Sequence, residues 1–219
     1  MITRILVSCV VLACAGMAAA APVQIKVGDT WTFEARNGYN KNLLATYSSE
    51  VTGVSDSGIA TRLTDNKAGT VTGEKFTRNW NPISAEWPTT QVNEFSPAYP
   101  EFPDRFEPGY KWQGNTVCRN LATGREMKMT TRGTVIGREH IRVPAGDFDA
   151  VKISRETVLD DAEFWRHRTH VVDYEWYVPE LGRAVKRETH SSFFENTGMH
   201  PVEHAGDWTV YQLTAYKVN

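Results

Sequence analysis

Residues 127–143 read MKMTTRGTVIGREHIRV. Met127, Met129, Thr131, Val135, Ile141 and Val143 fall on one parity, and Lys128, Thr130, Arg132, Arg138, His140 and Arg142 on the other. A period of two marks a strand with one face on a core and the other in water. Glu139 lands on the apolar parity, which predicts a bulge near Gly137 to bring the register back.

The same pattern extends in both directions. Toward the N-terminus, strands are expected at Thr30–Arg36, Leu43–Ser55, Ile59–Asp65 and Thr70–Trp80. They are separated by Asn37-Gly38, Asp56-Ser57-Gly58 and Asn66-Lys67-Ala68-Gly69, whose residues tolerate the positive φ of tight turns. Toward the C-terminus, Pro144-Ala145-Gly146-Asp147 turns the chain into Phe148–Leu159. Asp160-Asp161 turns it into Phe164–Val178, and Pro179-Glu180-Leu181-Gly182 into Arg183–Phe194. A loop with Gly and His runs to Asp207, and Trp208–Val218 is the last expected strand. In Phe164–Val178, Val172, Tyr174, Trp176 and Val178 share one face, read as the core face. Asp173, Glu175 and Tyr177 share the other. About ten strands with short turns and no amphipathic helix predict an all-β antiparallel meander. Because sheets twist, it should form a strongly curved sheet, half-barrel or barrel. The stretch from about 81 to 109 breaks the pattern. It holds Pro82, Pro88, Pro97, Pro100, Pro103 and Pro108, which cannot donate to a ladder, together with packing aromatics, and is expected to be a long ordered loop.

The N-terminus sets the compartment. Arg4 precedes an apolar run from Ile5 to Met17, and Ala18–Ala21 offers the small residues of a cleavage site. This is the pattern of a secretory signal peptide over residues 1–20, leaving a single β-rich domain at 21–219. The run is too short to span a bilayer, which takes ~20 apolar residues, so no transmembrane span is expected in the mature chain. Periplasmic localisation follows. The alternative is an outer-membrane lipoprotein anchored at Cys14 through Val11-Leu12-Ala13-Cys14. Cleavage leaves only Cys118, so no internal disulfide can form. A formal charge of −2 gives no electrostatic ground for nucleic-acid binding.

Three stretches carry a family likeness. They are Val143-Pro144-Ala145-Gly146-Asp147-Phe148-Asp149-Ala150-Val151-Lys152-Ile153, the run Trp176–Glu188 centred on Pro179-Glu180-Leu181-Gly182, and the closing Tyr211–Lys217. With Gly28-Asp29-Thr30-Trp31 and Phe106–Trp112, they resemble the TapB-like family of exported Gram-negative bacterial proteins, a domain of unknown function. The resemblance implies an exported β-rich domain. Its motifs are turns and strands, and it brings no catalytic residues.

Candidate chemistry is sparse. His167 and His170 are three apart on an expected strand and face opposite sides. His200, Glu203 and His204, with Asp207 nearby, could meet in a loop around zinc, although Pro201 opposes the helix that such ligands usually ride on. Ser96, Ser191 and Ser192 lie in no Gly-x-Ser-x-Gly elbow. Cys118 lies mid-strand, where an inert thiol is the plain reading. Asp160, Asp161 and Glu163 are ordinary turn residues. Asp173 and Glu175 share a face and could form a carboxylate pair, but with Arg166, Arg168, Lys186 and Arg187 close in sequence, cross-strand ion pairing is simpler. No cofactor is expected. The aromatic-rich segment from Trp80 to Trp112 could close over the concave sheet as a lid, which makes Trp87, Tyr99, Phe102, Phe106 and Trp112 ligand-binding candidates; the plainer role for it is capping the core. The resulting expectation is a non-catalytic exported domain of the cell envelope. It would bind an apolar or amphipathic ligand or an envelope protein, or assist an assembly. The alternative is an envelope hydrolase, metal-dependent through His200, Glu203 and His204.

Overall fold

A computed structural model describes residues 24–88, 91–196 and 200–219. The expected signal peptide, its cleavage site and Cys14 lie outside the described residues. Twelve antiparallel strands are formed: β1 (Thr30–Asn37), β2 (Leu43–Ser55), β3 (Gly58–Asp65), β4 (Val71–Phe76), β5 (Pro82–Ala85), β6 (Asn93–Ser96), β7 (Lys111–Asn120), β8 (Glu126–Val143), β9 (Gly146–Leu159), β10 (Thr169–Val178), β11 (Arg183–Glu195) and β12 (Val202–Lys217). Each pairs with the next, and β12 returns to β1, so the sheet closes into a barrel. Closure removes the unpaired edges that an open meander would expose.

The decisive stretch behaves as its parity dictates. Met129, Thr131 and Val135 are buried, whereas Lys128, Thr130 and Arg132 are exposed. The ladder between β8 and β9 shifts between Val135 and Gly137, with Gly137 at φ 156°. The bulge lets Ile141 and Val143 bury themselves while Glu139 stays half-exposed. The outward Lys and Arg side chains are the reverse of a lipid-facing barrel, whose outer band is apolar. Among the described residues, no helix is long and apolar enough to cross a membrane.

Three expectations about the chain path are corrected. The segment at 81–109 is not wholly loop. Its short strands β5 and β6 pair with each other and bridge β4 to β7, completing the barrel. Pro82 can stand in β5 because it is the first residue of that strand. The stretch expected as strand from Phe164 begins pairing in earnest only at Thr169, after an irregular turn in which Phe164 is 93% exposed. The stretch expected as loop up to Asp207 is strand from Val202 onward, because it pairs with the far end of β11.

A fourth expectation fails for physical reasons. In the continuous β9–β10 ladder, Asp173 pairs with Arg155, Glu175 with Ile153 and Tyr177 with Val151, so Asp173 and Glu175 share the face of buried apolar neighbours. Trp176 pairs with Lys152 and Lys186 on the opposite face. It is still buried, at 4% exposure, beneath Lys152, Lys186 and Glu139. The carboxylates therefore point into the barrel, and the face read as core is the outer one, although Trp176 and Val178 on it are buried as expected and belong to the larger apolar cluster.

Two apolar clusters fill the interior. One contains Phe95, Tyr99, Cys118, Met129, Leu159 and Val171, and the larger one contains Trp31, Ile59, Phe76, Trp80, Val151 and Ile153 among others. Along β9 and β10, the inward residues between the clusters are Arg155, Thr157, Asp173 and Glu175, so a polar, mostly charged layer separates the two hydrophobic ones.

Candidate functional site

The charged layer is built from five side chains on four segments. Arg155 on β9 is fully buried and donates from Nη2 to Asp173 Oδ2 at 2.8 Å and Glu175 Oε1 at 2.9 Å. Its Nη1 donates to the Glu101 carbonyl at 2.7 Å. Arg187 on β11 approaches the same acids from the other side, with Nε 3.1 Å from Asp173 Oδ1 and 3.2 Å from Glu175 Oε1. Its Nη1 donates to Glu101 Oε1 at 3.1 Å. Thr189 adds a 2.6 Å hydrogen bond to Asp173 Oδ1. Buried charges of this kind persist only when they are paired and hydrogen-bonded.

The acids divide by environment. Burial pushes the Asp173 carboxyl up, but Arg187 and Arg155 outweigh it and hold the group at about 2. Glu101 is pushed the other way. Burial and then the charge of Glu175 raise it to about 7, against the pull of Arg187 and Arg155. Two acids in one network thus differ in protonation near neutral pH.

Beside this layer lies a cavity of about 510 Å³, within the ~300–1,000 Å³ range of small-ligand sites. Glu101, Glu175 and Arg187 form its polar wall. Phe33, Tyr47, Phe76, Trp87, Tyr99, Phe102 and Tyr211 supply aromatic surface. Arg183 and Glu74 also line it. The Arg183 guanidinium lies 3.9 Å from the centre of the Trp80 ring, and Trp80 itself holds a left-handed φ of 63° between Trp31 and Phe76. A tryptophan keeps such a backbone only where packing over-determines it.

Of the five aromatic candidates named from sequence, Trp87, Tyr99 and Phe102 line the cavity. Tyr99 also fixes the segment inside the barrel, its hydroxyl 2.8 Å from Thr157 Oγ1. The other two support the segment. Phe106 stacks on Tyr177 with ring centroids 4.4 Å apart. Trp112 donates from Nε1 to the Pro100 carbonyl at 3.0 Å, and its ring lies across Gly133, where a Cβ would sit 2.2 Å from it. The segment is thus an inner wall, not a lid over an open face.

The metal candidates do not converge. His200 precedes β12, and Glu203 and His204 are consecutive on it, so their side chains alternate between faces. His204 Nε2 lies 2.7 Å from Glu195 Oε2, and its ring stacks on Phe193. Among the described residues, no group of three His, Cys, Asp or Glu side chains is placed to hold a metal ion. Cys118 is buried, and burial pushes its thiol up to about 11.

Arg187, expected from the sequence to pair across strands with Asp173 and Glu175, does so; sequence reasoning missed Arg155 and Glu101. The signal was present for the first of these: Val151, Ile153, Thr157 and Leu159 share its parity in β9, so Arg155 interrupts a core-facing row. Glu101 carries no such signal, because it lies in an irregular segment without periodicity.

The chain is similar to known proteins chiefly in its fold. The DUF3108-like family model matches residues 98–193, which run from the inner-wall segment through most of β11. No curated protein matches. A Bacteroides fragilis protein assigned as exported, with a YmcC-like fold, superposes with a TM-score of 0.56 at 16% identity. The match covers 91% of this chain and 100% of that one. A Parabacteroides distasonis protein assigned as a lipoprotein superposes with a TM-score of 0.54 at 16% identity, over 88% of this chain and 96% of that one. This chain therefore has the fold of these bacterial proteins, and its residues 98–193 are similar in sequence to the DUF3108-like domain of unknown function.

Proposed function

We propose that this protein is a non-catalytic ligand-binding barrel of the bacterial cell envelope, exported by residues 1–20, that holds an amphipathic molecule in its interior cavity. The supporting observation is the cavity itself: aromatic surface for an apolar body, with Glu101, Glu175 and Arg187 at one wall for a polar end. Sites that bind small molecules combine these two features. The likeness to TapB-like exported proteins read from the sequence, and the exported and lipoprotein assignments of the structural relatives, accord with an envelope location. A hydrolase has less support, since Asp173 and Glu175 are each held by two guanidinium groups, which ties both carboxylates up in ion pairs.

The test is binding of an apolar fluorescent probe, followed by energy transfer from tryptophan, in the wild type and in Ala184→Trp. Ala184 lines the cavity from β11, and an indole there fills it. Probe binding that the substitution abolishes is the expected result. Binding that survives it would place the site elsewhere, and no binding at all would end the reading.

A further inference from the structure

The wall built by Arg155 and Arg187 is balanced in charge. Below about pH 7 Glu101 keeps its proton, so two guanidinium groups face two carboxylates, those of Asp173 and Glu175. Lys186, also in the cavity lining, pairs with Glu188 at 2.7 Å. Arg183 stands apart. It opens β11 directly after the Pro179–Gly182 turn, in which Gly182 holds a left-handed φ of 59°. Its guanidinium lies 3.9 Å from the ring centre of Trp80, 5.4 Å from that of Trp31 and 5.7 Å from that of Phe76. Aromatic faces attract a cation but do not supply the paired acceptors that match a guanidinium fork. Among the described residues Arg183 forms no ion pair and no side-chain hydrogen bond; Glu74, Glu101 and Glu175 act on it only from a distance.

Burial and charge agree on this contrast. Burial works against the cation of Arg187, but Asp173, Glu175 and Glu101 outweigh it; at Arg183 burial wins. A guanidinium stays protonated in a protein even so. Glu74, the acid with the largest effect on Arg183, does little to balance it, because burial raises its own carboxyl toward the neutral form. Its Oε2 is occupied by the Thr61 hydroxyl at 3.2 Å. Arg183 is partly exposed and lines the cavity. A partly desolvated cation with unmet donors gains most from an anion that brings two acceptors in one plane.

We infer that the cavity selects amphiphiles with a single carboxylate head, which takes the donor fork of Arg183 while the apolar chain lies along the aromatic lining. This rests on the cavity-binding reading above and assigns the polar end to Arg183, because Arg187 is already held by its own acids. One unpaired guanidinium balances one negative charge. Glu86 and Asp207 add negative charge to the lining, so a head with a second charge finds no partner for it. A cationic head would meet Arg183 directly and has no free carboxylate in the balanced wall to pair with.

The experiment is calorimetric titration of the full mature chain at pH 6.5 with dodecanoate, dodecanol, dodecylamine and dodecyl phosphate, each below its micellar concentration. Dodecanoate should bind roughly tenfold or more tighter than dodecanol, the fold-change that one charge-assisted interaction confers. Dodecylamine should bind more weakly than dodecanoate. So should dodecyl phosphate, which carries a charge of about −1.5 or more near neutral pH. Arg183→Met should bring the ratio of dodecanoate to dodecanol affinity close to one. Arg183→Lys keeps a cation over Trp80 but not the fork, and should reduce that ratio severalfold; it decides the matter if Arg183→Met does not fold. Dodecanol or dodecylamine binding as tightly as dodecanoate, or a ratio unchanged in the folded variant, overturns the inference but leaves a cavity binder. Dodecyl phosphate binding as tightly as dodecanoate overturns the assignment of a singly charged carboxylate. If none of the four binds, the cavity reading fails and this inference fails with it.

Discussion

Arg155 and Asp173 are cross-strand partners in the β9–β10 ladder and form an ion pair of 2.8 Å with both side chains fully buried. In such a place the desolvation of each charge is recovered only by the other and by further hydrogen bonds. Glu175, Thr189, Arg187 and the Glu101 carbonyl supply those bonds, which ties β9, β10, β11 and the inner-wall segment into one unit. The layer fixes the position of a segment with little ladder of its own, and that segment forms one side of the cavity.

Removing Arg155 should therefore be far worse than its single position suggests. Arg155→Met keeps the aliphatic bulk but leaves Asp173 and Glu175 with Arg187 alone. Uncovering buried charges in this way costs about 3–5 kcal/mol. Adding Glu175→Gln to that variant should restore part of the loss, because one uncompensated charge disappears. Urea denaturation of the single and double variants checks this. A double variant no more stable than the single would mean that Glu175 does not depend on Arg155.

The two shifted acids predict opposite responses to pH. Asp173 is depressed from 3.8 to about 2. It binds fewer protons folded than unfolded, so its contribution is present above about pH 4 and is lost as pH falls through 2. Glu101 is raised from 4.5 to about 7. It binds more protons when folded, so the contribution of its protonated form is full below pH 4.5 and is lost as pH rises through 7. Glu101→Gln should match the wild type near pH 4 and exceed it by roughly 3 kcal/mol at pH 8. Denaturation midpoints at pH 4, 6 and 8 decide this; a variant less stable than wild type at pH 8 would show that the Arg187 contact outweighs the repulsion from Glu175.

Sequence and structure part company where periodicity is ambiguous about direction. Parity places the residues of β8 correctly because Lys128, Thr130 and Arg132 can only face water. In β10 the parity groups are also right, but the assignment of in and out is reversed. Tyr174 and Trp176 look like core, and Asp173 and Glu175 look like surface, unless their partners on neighbouring strands are known. Those partners are set by register, and register comes from long-range pairing that a single strand does not encode. The barrel was legible as one of three outcomes. Its closure was not, because it depends on β5 and β6, four residues each and hidden among prolines. Within the candidate site, the aromatics of the 81–109 segment stood out by composition, which is why Trp87, Tyr99 and Phe102, which line the cavity, were named as candidates. Glu101 acquires its role only from the two arginines that reach it.

Trp176 and Tyr177 are neighbours on β10 with different tasks, and exchanging either for alanine should separate them. Trp176 lies on the outer face at 4% exposure, its Nε1 donating to Glu139 Oε2 at 3.2 Å. The Lys152 and Lys186 ammonium groups lie 4.8 and 4.3 Å from its ring centre. Truncation removes a large buried ring and leaves a void, at a cost of about 3–5 kcal/mol. That is a large share of the ~5–15 kcal/mol by which a domain is usually stable. Tyr177 faces inward and is less buried, but Phe106 stacks on it and Phe102 packs 5.5 Å away. The sequence reading placed it on the face opposite the expected core. The structure instead makes it the anchor of the inner-wall segment, because its ring is the surface on which residues 102–106 rest. Tyr177→Ala should cost less globally, about 2–3 kcal/mol, yet open the segment locally. Arg105 is already exposed in that segment, so limited trypsin digestion reads the difference directly. Cleavage after Arg105 should accelerate strongly in Tyr177→Ala while denaturation shifts modestly. In Trp176→Ala the denaturation midpoint should drop sharply, with cleavage at Arg105 rising only as global unfolding does. If Tyr177→Ala leaves Arg105 as protected as in the wild type, the segment is held by Tyr99 and Arg155 alone, and the stacking on Phe106 is incidental.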